Sequence, residues 1–153
     1  MEIEKTIDVL NRLVEINNDR IEGYETATEE TEEEELKVLF AQFARTSTKC
    51  KDELVSEIFR LGGTPTEGTK ISGKFFRVWM DVKAALTGKD RKAILDSCEY
   101  GEVQAVDTYE DVMKDYLEYL TMEQQTMIST QYALIKADQF RVKSMRDALG
   151  TMA

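Results

Sequence analysis

Glu53, Glu102 and Asp138 carry the most evident chemistry in this 153-residue chain. Carboxylates projecting inward from neighbouring helices bridge pairs of iron or manganese ions in dinuclear oxidases, where a Glu-x-x-His pair from each of two helices completes the ligand set. The companions here are different. The chain has no histidine, Glu53 closes the motif Cys50-x-x-Glu53, and the segment ahead of Asp138 reads Gln131-x-x-Leu134. An amide, Asn17 in "EINNDRIEGYE" (residues 15–25), fills the position that the first helical repeat reserves for an apolar residue. This set is too poor in nitrogen for a stable di-iron centre. Glu102, Asp138 and Glu53 remain candidate ligands for iron or manganese, or for a weaker all-oxygen site holding Ca²⁺, Mn²⁺ or Mg²⁺.

The expected arrangement is instead a hydrogen-bonded polar layer of Asn17, Glu102 and Asp138, with Arg20 or Lys136 reaching in and one carboxylate protonated. In such a layer a slip of one helix strands a buried polar group, at about 1–3 kcal/mol, so the layer fixes register. Other chemistries lack their parts. Without histidine there is no Ser-His-Asp or Cys-His nucleophile, and "GGTPTEG" lacks the lysine and following helix of a phosphate-binding loop. Tyr100, Tyr109, Tyr116, Tyr119 and Tyr132 fall on helix faces where hydroxyls are expected to reach solvent rather than relay a radical.

Four helices must position these residues. Ile3, Ile7, Leu10, Val14, Asn17, Ile21 and Tyr24 repeat at helical spacing and predict a helix over about 2–28. Thr31 with Glu34 reads as a capping box opening a helix over 32–61. The seam of that helix runs Leu36, Phe40, Phe43, Ser47, Cys50, Leu54, Glu57, Leu61 and stops at Gly62-Gly63. Asp90 is a natural N-cap for a helix over 91–119 with Ile94, Cys98, Glu102, Ala105, Tyr109, Val112 and Tyr116. Thr121 with Gln124 opens a last helix over 122–149, carrying Ile128, Gln131, Ile135, Asp138, Val142, Met145 and Leu149. Residues 62–90 hold the only proline and a short amphipathic helix over about 74–87, with Phe75, Trp79, Val82 and Leu86 on one side. The whole chain, 1–153, reads as one all-α four-helix bundle. A connection of that length can return along the bundle and set the second and third helices parallel, the ferritin-like arrangement. With midpoints near 15, 46, 104 and 136, Asn17, Glu102 and Asp138 fall about 3 Å from one level. Cys50 and Cys98 fall about 15 Å apart, too far to bridge.

Thirty acidic against twenty basic residues give a net charge of −10, which argues against nucleic acid and anionic membranes. The acidic run at 29–35 reads as a solvated turn and helix start. Two cysteines suit buried thiols in a reducing cytoplasm, and "MEIEKTIDVL" has acidic residues where a secretory leader has basic ones.

"LVEINNDRIEGYETATEET", "KDELVSEIFRLGG", "FRVWMDVKAALTGKDRKAILDSCEYGE" and "QYALIKADQFRVKSMRDAL" together resemble a bacterial ferritin-like four-helix-bundle family of unknown function. The resemblance spans nearly the whole chain and implies the ferritin-like crossover and a bacterial cytoplasmic setting, with no established reaction. It also implies a departure: members often carry Glu where this chain has Leu134 and His where it has Gln139. The resemblance makes Glu99 and Glu102 of the C-E-x-G-E element the transferable site residues, and so implies Glu99 as a fourth candidate metal ligand. The expectation is therefore a non-catalytic, self-associating bundle, a homo-oligomer such as a dimer, that needs no cofactor. A metal-binding or di-metal oxidoreductase protein is the alternative.

Overall fold

The computed structural model describes residues 2–67 and 91–151. The expected 74–87 helix and the Asp90 cap lie outside them. The described residues form four α-helices and no strand: α1 Ile3–Glu30, α2 Glu34–Arg60, α3 Arg91–Asp115 and α4 Met122–Thr151. A single 3-10 turn, Leu117–Tyr119, links α3 to α4, so the third helix ends short of residue 119. None of these helices is long and apolar enough to cross a membrane.

The helix ends show local chemistry at work. Thr121 and Gln124 exchange both bonds of a capping box, the Gln124 amide donating to the threonine hydroxyl at 3.1 Å and the Thr121 amide to Gln124 Oε1 at 2.9 Å. Thr31 does not form the expected box. Its amide closes α1 on the Ala27 carbonyl at 3.0 Å, which makes it the end of the first helix, and its hydroxyl accepts from Glu33 N–H instead. At the far end of α2, Gly62 takes φ +82°, with Gly62 N–H bonded to the Phe59 carbonyl and Gly63 N–H to that of Ile58. That is a Schellman stop, and it needs the left-handed residue that glycine supplies. The α2 seam continues on a four-residue step to Ile58, fully buried; Glu57, placed in the seam by sequence spacing, is only half-buried and pairs with Arg60.

Contacts along the helices fix their directions. Thr6 bonds the Tyr119 carbonyl, Asn17 meets Tyr109, and Tyr24 meets Glu102, so α1 and α3 are antiparallel. Gln42 meets Arg141 and Glu53 meets Gln131, so α2 and α4 are antiparallel as well. Each helix packs on two neighbours, α1 on α2 and α3, α4 on α3 and α2. With short turns joining α1 to α2 and α3 to α4, helices α2 and α3 run parallel, and the end of α2 and the start of α3 lie at opposite ends of the bundle. Arg91 at the start of α3 accordingly pairs with Glu33 and Glu35 at the start of α2.

The core is divided. Leu10, Leu13, Val14, Leu54, Ile58, Tyr109, Ile128 and Ile135 belong to one buried apolar group, and Tyr24, Phe40, Phe43, Ile94, Leu95 and Val142 to another. Cys50 lies in the first and Cys98 in the second, both as free thiols. Along every helix buried polar side chains lie between the two groups: Asn17 to Arg20 on α1, Ser47 on α2, Glu102 on α3 and Asp138 on α4.

Candidate functional site

Arg20 is the hub of that level. Three residues beyond Asn17 on the inward face of α1, it is 1% exposed and reaches all three other helices. Its Nη1 donates to Ser47 Oγ at 2.5 Å, and its Nη2 donates to Glu102 Oε1 at 2.7 Å and to Asp138 Oδ2 at 3.1 Å. Tyr24, one turn along α1, donates its hydroxyl to the same Glu102 oxygen at 2.5 Å, and its ring lies 5.6 Å from the guanidinium carbon. Two carboxylates thus face one cation, in surroundings where an uncompensated charge is very costly.

The electrostatics follow from this geometry. Burial opposes the charge on Arg20, but Glu102, the Tyr24 hydroxyl and Asp138 outweigh it and hold the guanidinium protonated even more firmly than in water. Tyr24 is pushed well above its ordinary range by burial and then by Glu102, so it stays a hydrogen-bond donor. Asp138 rises from 3.8 to about 6, because burial and the neighbouring Glu102 together exceed the pull of Arg20. Cys98, buried beside Glu102, is pushed far up and is chemically quiet.

One turn away lies a second network. Asn17 Nδ2 donates to the Leu13 carbonyl and to the Tyr109 hydroxyl, both at 2.8 Å; Tyr109 donates to Gln131 Oε1 at 2.8 Å. Gln131 Nε2 in turn donates to the Cys50 carbonyl at 3.2 Å and to Glu53 Oε1 at 3.1 Å. Asn17 therefore takes a tyrosine where sequence reasoning gave it the carboxylates of the last two helices. The reason is Arg20: as the stronger, charged donor it takes both carboxylates. Tyr109 is fully buried, contrary to the expectation that its hydroxyl reaches solvent. Burial raises it well above the ordinary range, leaving it a donor in the network.

Of the four candidate ligands, the fold brings Glu102 and Asp138 together on Arg20. Glu53 is exposed and belongs to the Gln131 network, while Glu99 pairs with Arg146 of α4. Lys136 is exposed and does not reach in. Among the described residues no group of three or more carboxylates, thiols or imidazoles is placed to hold a metal ion. The donor set also does not fit one: a divalent cation between Glu102 and Asp138 would have to displace a buried guanidinium, and Arg20 would then be stranded without its partners. Ser47 is one of the polar residues that the second helix offers near that level by sequence, whereas Tyr24 is the member of the cluster that sequence reasoning gave no part in the chemistry, although it recurs at core spacing on α1.

A family model described as Domain of unknown function (DUF2383) matches residues 5–115. The match takes in Asn17, Arg20, Tyr24, Ser47 and Glu102 and stops before α4. No curated protein matches the chain.

Proposed function

The chain belongs to the DUF2383 family, and we propose that it is a non-catalytic bundle that works by associating with copies of itself, its internal polar layer serving structure rather than chemistry. The observation that carries this reading is the Arg20 guanidinium bonded to both Glu102 and Asp138. A cation supplied by the chain itself already neutralises the carboxylates that a dinuclear site would use. The parallel course of α2 and α3 supports a ferritin-like connection between them. The free buried cysteines and the sequence resemblance support a bacterial cytoplasmic setting. Iron or manganese binding at Glu102, Asp138, Glu53 and Glu99 is the competing reading, and it requires Arg20 to leave.

Metal content and thermal unfolding decide between the two. The purified chain, before and after addition of Fe²⁺, Mn²⁺ or Zn²⁺, is expected to hold no stoichiometric metal and to keep its melting temperature. Near-stoichiometric metal that raises the melting temperature of the wild type and not of Glu102→Gln overturns the structural reading.

A further inference from the structure

A cleft of about 230 Å³ opens at the end of the bundle where α1 starts and the 3-10 turn joins α3 to α4, lined by Lys5, Asp8, Val9, Arg12, Tyr116 and Tyr119. Its walls are held in place. Thr6 Oγ1 donates to the Tyr119 carbonyl at 2.5 Å, the Tyr119 amide donates to the Tyr116 carbonyl at 3.0 Å, and Tyr116 packs on the buried apolar group that includes Val9. The two tyrosine rings, with centres 6.4 Å apart, give the cleft an apolar side.

The charges opposite these rings are arranged in an uncommon way. Lys5, Asp8 and Arg12 follow one another at steps of three and four along α1, so their signs alternate over about 10 Å of one helix face. Lys5 is engaged: its Nζ meets Glu2 at 3.2 Å, donates to the Tyr119 hydroxyl at 3.4 Å and lies 5.1 Å from the centre of that ring. Asp8 and Arg12 are not. An acid four residues ahead of a base is the favourable order for an ion pair on a helix. Yet neither residue belongs to an ion pair among the described residues, and the Arg12 guanidinium carbon sits instead 5.0 Å from the centre of the Tyr116 ring. The cleft therefore presents one carboxylate and one guanidinium, one helical turn apart, to whatever enters it.

From this geometry we infer that the cleft binds a small zwitterion, an α-amino acid with an apolar side chain, its ammonium on Asp8, its carboxylate on Arg12 and its side chain against Tyr116 and Val9. Charge selects the class. Phosphates and dicarboxylates meet Asp8 and the field of a chain of net charge −10, and simple amines meet Arg12 and Lys5. A zwitterion is neutral as a whole and satisfies both unpaired charges, the carboxylate fitting the planar fork of an arginine. Size agrees: 230 Å³ is the volume of roughly eight waters at about 30 Å³ each, room for a free amino acid and too little for a nucleotide. The cleft is open, and a ligand of about 12 non-hydrogen atoms there should have a dissociation constant near 1 mM. The inference does not depend on the self-association proposed above, because one copy of the chain supplies every lining residue.

Amide NMR of the full nitrogen-labelled chain tests it, with L-phenylalanine as probe, titrated to about 20 mM, well above the expected constant. Saturable shifts are expected at the start of α1 and at Leu117–Tyr119. Phenylpropionate, which lacks the ammonium, and phenethylamine, which lacks the carboxylate, should each bind about fivefold more weakly, the size of one exposed ion pair. Arg12→Gln and Asp8→Asn, both at exposed positions and checked for folding by circular dichroism, should weaken phenylalanine binding by a similar factor, while Arg45→Gln on α2 leaves it unchanged. No saturable shift, shifts centred elsewhere on the bundle, or equal binding of phenylalanine and its two analogues would each overturn the assignment. So would binding that Arg12→Gln and Asp8→Asn leave intact.

Discussion

Asp138 offers the sharpest quantitative test, because its carboxyl is raised from 3.8 to about 6 by burial and by Glu102, against the pull of Arg20. Between these two values the folded protein holds a proton that the unfolded chain has released. The stability contributed by this group is therefore fully present below pH 3.8 and is lost as pH rises through 6. At about 1.4 kcal/mol for each pH unit between the two values, the loss amounts to about 3 kcal/mol. Asp138→Asn keeps an oxygen for Arg20 and cannot titrate. Urea unfolding of wild type and variant from pH 4 to 7.5 should show the wild type losing about 2.5 kcal/mol of this relative to the variant over that window. A difference that stays flat, or that grows in favour of the wild type as pH rises, refutes the reasoning. The second result would mean that attraction to Arg20 exceeds desolvation and that the carboxyl is depressed.

Arg20→Met leaves Glu102 and Asp138 buried without their cation and should destabilise by about 3–5 kcal/mol in denaturant unfolding, whereas replacing Arg20, Glu102 and Asp138 together by Met, Leu and Leu should recover most of that loss. Tyr109→Phe strands Gln131 Oε1 without a donor and should cost about 1–2 kcal/mol by the same measurement. Burial raises the Cys50 thiol to about 11 and Cys98 further still, so neither should react with a disulfide reagent at pH 8 in the native protein, and both should react after denaturation. Gly62→Ala, at φ +82°, should lower stability by about 1 kcal/mol with little change in the denaturant slope.

The helices were legible because each long seam keeps its period: Ile94 to Val112 on α3 and Ile128 to Val142 on α4 are buried along the spacing the sequence shows. The Thr121–Gln124 box was legible for the same reason, being local. Thr31 was not. It carries the same pattern as Thr121, but a three-residue turn lets one threonine serve the helix behind it, and the sequence does not say which helix wins. At the polar level, spacing along each helix put Glu102 and Asp138 near one height, yet the choice between Asn17 and Arg20 as their partner depended on the reach and charge of a side chain rather than on its spacing. Tyr109 was misplaced because an aromatic seam position reads alike whether its hydroxyl finds solvent or a buried amide.

Arg20 bonds one residue on each of the other three helices, and its carboxylate partners lie 82 and 118 positions away along the chain. The hairpins α1–α2 and α3–α4 close on nearby residues, the Arg20–Ser47 bond among them, whereas the two carboxylate bonds exist only once the hairpins have docked. Folding kinetics should register that order. Lesions at Arg20 should accelerate unfolding and leave the refolding limb of the chevron nearly unmoved, while lesions within a hairpin, such as Phe43→Ala or Ile135→Ala, should slow refolding. A mispaired approach of the hairpins would leave the guanidinium without its two carboxylate acceptors, so the same residue that joins the helices also proofreads their assembly.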